Sequence, residues 1–87
     1  MIGAHRRRID GIDALLVRLL NERAAISQAI GRIKHARGEA IEVPEREAEV
    51  LRRAKDASKG PLDGPAIERV LMTIMSEMRA LEVARWA

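Results

Sequence analysis

The feature that most constrains this sequence is one uninterrupted amphipathic pattern, which predicts a helix of about 30 residues from His5 to Arg37. At 1.5 Å per residue this helix is about 45–50 Å long, which is more than a compact domain of this size requires. We therefore expect a second copy of the chain to cover the part of its apolar face that two shorter helices leave exposed. The apolar stripe consists of Ile9, Ile12, Leu16, Leu19, Ile26, Ile30 and Ile33, widened by Leu15 and Leu20.

A connection and a shorter helix follow this first pattern. Residues 38–44 (GEAIEVP) form the connection, and Gly38 is a plausible stop for the first helix. Pro44 suits the first turn of a second helix, which extends to about Ala57. The expected N-cap of this helix is Val43, and valine is a poor capping residue.

A second break precedes the last helical pattern. The stretch SKGPLDGP at 58–65 contains two Gly and two Pro, and Asp63 is a good N-cap for a third helix over about 64–86. The sequence contains no strand pattern and no internal repeat. It therefore predicts an all-α fold of long, short and long helices in a single domain over residues 1–87.

Composition limits the classes of site and partner. The chain has no Cys, which excludes disulfides, thiolate metal ligands and Cys nucleophiles and fits a cytoplasmic protein. We see neither a signal peptide nor an apolar run near the ~20 residues of a membrane span. His5 and His35 lack the spacing of a metal site, and no phosphate-binding loop is present. We therefore expect no cofactor, no metal and no membrane partner.

Two cations lie on one face of the predicted first helix. Arg23 fills the missing position of the apolar stripe, and Lys34 lies eleven residues later, only about 20° further around the helix. Their side chains are about 16 Å apart along the axis, so they could converge on a small dianion between them. A structural ion pair with a Glu, or an escape to the surface, is the commoner explanation for a lone arginine such as Arg23.

The other polar candidates have simpler individual explanations. Arg6 lies about 25 Å from Arg23 along the helix and about 100° off its face, so it cannot serve the same pocket but could serve the equivalent pocket of a two-fold partner. The simplest explanation of the HRRR run that contains it is a solvated, basic start of a helix. Glu47 is explained by its favourable position at the positive end of the second helix. Glu82 is explained by a salt bridge to a neighbouring arginine, Arg79 or Arg85. The set contains no obvious nucleophile, which indicates a reaction without a covalent intermediate.

Taken together, these residues form a known pattern. The segments IDGID–LL–LLNER–IGRIK–G–I–PERE–VL, followed by GPLD–IERVL–IM–LE, resemble the all-α chorismate mutase family over about residues 5–84. The IDxID start, the spacing of Arg23 and Lys34, and the P-x-R-E motif carry the resemblance in combination. It implies an intertwined homodimer with two active sites, each built from both subunits, that rearranges chorismate to prephenate.

The resemblance also implies roles for the cations and for one carboxyl group. Arg6 resembles the arginine donated by the partner subunit, and Arg23 resembles the carboxylate-binding arginine of the same subunit. Lys34 resembles the lysine that contacts a carboxylate and the ether oxygen of the breaking bond. Glu82 falls where the family places a Gln or Glu beside that oxygen. An ionised carboxylate only accepts hydrogen bonds, so Glu82 must be protonated to help there.

The ring end of the implied site departs from the family. Arg46 and Glu47 resemble the Arg-Glu pair near the ring hydroxyl, whose hydrogen bond Glu47 accepts. Many members have Asp where this chain has Val43, and Ser where it has Met78. The change at Val43 is either neutral, if the family's contact there comes from a backbone N–H, or the sign of a substrate altered at that ring position. The second alternative leaves open a relative that acts on 4-amino-4-deoxychorismate or an isochorismate pyruvate lyase. Glu47 argues against the lyase, because those relatives tend to lack this acid.

Two other classes of function compete with an enzyme. The net charge of +3, the pI of about 10.2 and the HRRR run at 5–8 fit a helical dimer that binds nucleic acid. Acidic residues are interleaved throughout and stacking aromatic residues are scarce, so we expect no nucleic-acid partner. A structural or regulatory dimerisation module is the third class, and an activating partner enzyme of the same pathway is a further expectation.

Overall fold

The computed structural model describes residues 1–83, and within this range the chain is all-α. The predicted order of a long, a short and a long helix is confirmed, and the third helix packs against both others. The predicted end of the third helix, at 84–86, lies outside the described residues. The molecule measures 54 × 24 × 16 Å, so its length is that of the first helix. The helices are α1 (Ile2–Arg37), α2 (Pro44–Ala57) and α3 (Gly64–Val83).

Helix α1 begins earlier than predicted and ends where predicted. It starts at Ile2, and the His5 backbone N–H donates to the carbonyl oxygen of Met1 at 3.1 Å. At the other end Gly38 adopts the left-handed conformation with φ of 67°, and the N–H of Glu39 donates to the Lys34 carbonyl at 2.9 Å. This is the Schellman arrangement, which stops a helix and directs the chain away from its axis.

Helices α2 and α3 start in different ways. The side chain of Asp63 caps α3 as predicted, because its Oδ1 accepts a hydrogen bond from the Ala66 N–H at 2.9 Å. Val43 provides no such bond to α2, where Pro44 occupies the first turn instead. Glu47 lies in the same turn, so its carboxylate is at the positive end of α2.

Small residues of α1, and not its apolar stripe, are the most deeply buried residues of this helix. Ser27 and Gly31 are the buried residues of α1, whereas the stripe from Ile9 to Ile33 remains between 42% and 63% exposed. The stripe is therefore not the seam inside one chain. The covered residues of α1 begin at Arg23, so the N-terminal part of the helix is exposed, and α3 comes close to α1 at Gly31, which has no side chain.

The apolar core of one chain is thin. Met75 and Met78 of α3 are the buried apolar side chains of the described range, each 7% exposed. Other apolar residues of α3, such as Leu71 and Ile74, are half-buried. A small chain with this little burial is expected to gain stability from association with another copy.

The close approach at Gly31 predicts a stability difference between two glycine variants. A Cβ added at Gly31 would lie 3.2 Å from both the Cβ and the backbone oxygen of Glu82, which cannot move without shifting α3. We expect Gly31→Ala to destabilise the fold by about 1–3 kcal/mol. Gly11→Ala is the matched control, because its Cβ meets nothing within 4 Å and alanine favours the helix by about 0.5–1 kcal/mol. Urea unfolding followed by circular dichroism measures both, and equal stabilities would contradict the packing.

Candidate active site

A cleft of about 390 Å³ lies where the C-terminal half of α1, the start of α2 and the end of α3 meet. Its size suits a small-molecule ligand. It brings together every predicted site residue except Arg6, although these residues come from all three helices and the connection between the first two. These lining residues are Arg23, Lys34, Val43, Arg46, Glu47, Met78 and Glu82.

Arg6 lies on a different part of the molecule. It is exposed in the second turn of α1 and does not line the cleft. The helical geometry of α1 accounts for this separation, because residue 6 is more than four turns before Arg23. Within one chain, Arg6 is therefore distant from the other site residues.

The ammonium group of Lys34, which lines the cleft, is held by a backbone carbonyl. Lys34 lies in the last turn of α1, and its Nζ donates a hydrogen bond to the backbone oxygen of Ile41 at 3.0 Å. Ile41 belongs to the connection between α1 and α2 and lines the same cleft. An ammonium has three donors, so two remain for a ligand after this bond.

The guanidinium of Arg23 makes no hydrogen bond or salt bridge within residues 1–83, although the carboxyl group of Glu82 lies close enough to interact with its charge. The side chain is half-buried and lines the cleft, but no hydrogen bond or ion pair to the described residues involves it. The structural ion pair that the sequence left open for Arg23 is thus not formed in this range. A half-buried unpaired cation favours an anionic ligand, because binding satisfies its donors.

Glu82 faces these cations from α3. Burial raises the pKa of the Glu82 carboxyl above its ordinary value, while the positive charges of Lys34, Arg23 and Arg79 oppose the shift. Desolvation is the larger effect, so the raised pKa prevails. Glu82 is half-buried because α1 approaches it closely at Gly31. This carboxyl group therefore keeps its proton to a higher pH than an exposed glutamate.

Two arginines near the start of α2 have different partners. The Nη1 of Arg79 donates to the Oε2 of Glu47 at 2.5 Å, which joins α3 to α2 across the cleft. Arg46 pairs instead with Glu49 on the surface of α2, and its side chain is 62% exposed. The salt bridge to Arg79 that the sequence offered for Glu82 is therefore made by Glu47, and the other offered partner, Arg85, lies outside the described residues.

The two departures from the family pattern form part of an apolar wall. Met78 is buried and Val43 is half-buried, and both line the cleft. Neither side chain can donate or accept a strong hydrogen bond. Strong hydrogen bonds and charges in the cleft therefore come from other lining residues, chiefly the arginines, the lysine and the two glutamates. Other apolar residues of this wall are Ile26, Ile30, Ile41, Val50 and Met75.

Sequence reasoning did not place two polar residues, Ser27 and Arg79, among those that line the cleft. Ser27 follows Arg23 by four residues and precedes Lys34 by seven, so helical spacing alone puts it on their face. Arg79 carries a weaker signal, because its position next to Met78 does not identify its partner. Only the packing of α3 against α2 brings it to Glu47.

The family of the chain is shown by comparison with known proteins. The family model for chorismate mutase type II matches residues 5–83. The chain belongs to this family. The resemblance seen in the sequence is therefore confirmed over almost the whole described range.

Two curated relatives illustrate the similarity of this chain to known proteins. The chain is 49% identical over 78 residues to a bifunctional chorismate mutase/prephenate dehydratase of Neisseria gonorrhoeae, covering 90% of this chain and 21% of the relative. It is 36% identical over 78 residues to the T-protein of Haemophilus influenzae, covering 88% of this chain and 21% of that protein. It thus spans about a fifth of the length of these relatives.

A solved structure, that of chorismate mutase (Form II) from Thermus thermophilus, has the same fold. It superposes with a TM-score of 0.91 at 31% identity and covers 93% of this chain and 92% of the other. The three-helix arrangement described above is therefore a chorismate mutase fold. In the part of the chain that the structure describes, no helix has a stretch long and apolar enough to cross a bilayer.

Proposed function

We propose that this chain rearranges chorismate to prephenate in the biosynthesis of aromatic amino acids. The observation that carries the proposal is the unpaired guanidinium of Arg23 in one cleft with the ammonium of Lys34 and a carboxyl group, Glu82, of raised pKa. Membership of the chorismate mutase type II family supports the same conclusion. Chorismate is a small dianion, which matches two cations on one wall of a cleft.

The proposed reaction needs no nucleophile and no acid–base step. In one concerted step the ether C–O bond breaks and a new C–C bond forms between two parts of the same molecule. Catalysis then consists of holding the compact conformer and stabilising the charge that develops. Arg23 binds one substrate carboxylate, and Lys34 opposes the negative charge that grows on the ether oxygen.

The protonated form of Glu82 completes this arrangement. A neutral carboxyl group has one O–H, which can donate a hydrogen bond to the ether oxygen beside Lys34. An ionised Glu82 has only lone pairs and repels an electron-rich oxygen. The raised pKa of Glu82 therefore favours the active form of the site on the acidic side of neutrality.

The identity of the ring substituent is tested by direct turnover. We expect the protein to convert chorismate to prephenate, because Glu47 offers a carboxylate that accepts a hydrogen bond from a ring hydroxyl. The experiment incubates the protein separately with chorismate, 4-amino-4-deoxychorismate and isochorismate and identifies the products by chromatography. Failure to convert chorismate faster than its uncatalysed rearrangement would overturn the proposal, and release of pyruvate from isochorismate would favour a lyase instead.

We also propose that the chain works as an intertwined homodimer whose two active sites each take Arg6 from the other subunit. The exposed isoleucine stripe along α1 supports this arrangement, because so long an apolar face is unfavourable in water. The distance of Arg6 from the cleft of its own chain also supports the shared site. In a two-fold dimer, Arg6 of one subunit can instead reach the cleft of the other subunit. Light scattering is expected to give twice the chain mass of 9.7 kDa.

Mixing two inactive variants tests the shared site. Arg6→Ala and Lys34→Ala are each expected to lose most activity as pure dimers. A mixed dimer has one site that lacks both residues and one site that is intact. Unfolding and refolding an equal mixture should therefore restore roughly a quarter of wild-type activity. A mixture as inactive as its components, with mixed dimers shown by mass spectrometry, would contradict a site shared between subunits.

The three arginines of α2 pair with carboxylates of the same helix, and this pairing does not favour a nucleic-acid interface. Two carboxylates, Glu49 and Asp56, make these pairs. We propose a cytoplasmic location. We also propose a prephenate-consuming dehydratase as the functional partner, because similar proteins are bifunctional chorismate mutase/prephenate dehydratases. An activating partner enzyme stays a prediction. The pairs on α2 are Arg46–Glu49, Arg52–Asp56 and Arg53–Glu49.

A further inference from the structure

The ion pair between Arg79 and Glu47 is a feature that the proposed reaction does not yet use. Its atoms, Nη1 of Arg79 and Oε2 of Glu47, are 2.5 Å apart, and the residues are 32 positions apart in the chain. Both side chains line the cleft and are about one-third exposed or less, at 34% and 27%. The pair is thus a partly desolvated, charge-assisted bond inside the candidate site.

This bond fixes the orientation of the Glu47 carboxylate and balances its charge, at the end of the cleft where the substrate ring is expected. Arg79 occupies one carboxylate oxygen of Glu47, so the other oxygen, Oε1, is the free acceptor for a ligand. The second arginine nearby, Arg46, pairs with Glu49 and is not bonded to Glu47. The position of Glu47 therefore depends on α3, through Arg79, although Glu47 itself belongs to α2.

We propose that Arg79 is a positioning residue that orients Glu47 and makes the cleft prefer a neutral hydroxyl over an ammonium as the ring substituent. The inference rests on the proposed function and deepens it, because it assigns the choice between chorismate and 4-amino-4-deoxychorismate to one ion pair. Val43 and Met78 add no charge or strong hydrogen-bonding group to this part of the cleft.

The physical reason is charge balance. A hydroxyl needs only an oriented acceptor, which the free oxygen of Glu47 provides. An alkyl amine is protonated at neutral pH and is attracted by an unpaired carboxylate. Paired with the guanidinium of Arg79, the same carboxylate has no net negative charge to offer, and the guanidinium itself repels the ammonium. The preference for a hydroxyl then comes from the repulsion between Arg79 and an ammonium group as much as from the hydrogen bond that Glu47 accepts.

The test compares kcat/KM for chorismate with kcat/KM for 4-amino-4-deoxychorismate in wild type and in Arg79→Gln. Where turnover of the amino compound is too slow, its competitive inhibition constant replaces its kcat/KM. Removing the guanidinium leaves Glu47 as an unpaired carboxylate. We therefore expect the preference for chorismate to fall about tenfold, whereas Arg79→Lys keeps the charge and most of the preference.

A second ion pair between α2 and α3 provides the matched control. Lys55 and Glu68 are 3.2 Å apart and join the same two helices away from the cleft. Glu68→Gln removes this link and should leave the preference unchanged. A loss of preference in Glu68→Gln equal to that in Arg79→Gln would show a general effect of helix packing and overturn the inference.

The remaining outcomes separate this inference from the proposed function. If wild type converts chorismate but Arg79→Gln keeps the wild-type preference, only the role of Arg79 is wrong. If wild type does not convert chorismate, the proposed function itself fails. Should Arg79→Gln prove too unstable to assay, Glu47→Gln is decisive, because it leaves Arg79 unpaired and should raise the preference for chorismate. An unchanged preference in Glu47→Gln would overturn the inference.

Discussion

Replacing Lys34 with alanine is expected to lower kcat for chorismate by about 100-fold or more while the chain stays folded. The Nζ of Lys34 is held in the cleft by its bond to the Ile41 carbonyl, so the ammonium is oriented before substrate binds. A preorganised cation of this kind stabilises charge in the transition state without any cost of reorganisation. Steady-state kinetics of chorismate disappearance measures the effect.

A lysine outside the cleft serves as the control for this variant. Lys59 is exposed in the connection between α2 and α3 and does not line the cleft. Lys59→Ala should therefore keep wild-type kinetics. Losing the bond to Ile41 costs Lys34→Ala about 0.5–1.5 kcal/mol of stability, which circular dichroism melting can follow. A folded Lys34→Ala protein with a near-normal rate would remove Lys34 from the mechanism.

Turnover of chorismate is expected to be fastest at acidic pH and to decrease as the pH rises through the pKa of Glu82. Burial raises this pKa, and the protonated carboxyl is the form that can donate to the ether oxygen. In Glu82→Gln the amide donates a hydrogen bond at every pH, so the profile should flatten or move toward neutral. Wild-type kcat that is constant from about pH 5 to 8 would contradict this role.

The same carboxyl gives a test that needs no substrate. Because the pKa of Glu82 is higher in the folded chain than in the unfolded chain, the folded state binds its proton more tightly. Its contribution to stability is present below the unfolded pKa and is lost as the pH rises through the folded pKa. Glu82→Gln should therefore gain stability relative to wild type as the pH rises over this range. Glu77→Gln, an exposed position on the same helix, is the control.

Much of the candidate site was predictable because it depends on local geometry. Helical spacing alone places Arg23 and Lys34 on one face, and the structure brings both to one cleft. The Asp63 cap and the Gly38 stop were equally local. The isoleucine stripe was harder to interpret, because periodicity shows that a face is apolar but not which molecule covers it. Its cover by a second subunit stays a prediction.

The amino-acid sequence by itself determined the three helices, their approximate ends and the cationic face of α1, because each follows from contacts between residues a few positions apart. Only the tertiary structure decided that α3 packs closely on α1 at Gly31, which brings Glu82 to the cleft, and that Arg79 pairs with Glu47. The physical reason is that burial and ion pairing depend on which surfaces meet in space. These contacts are between residues of different helices that are far apart in the chain, and the periodicity of the sequence does not predict such contacts.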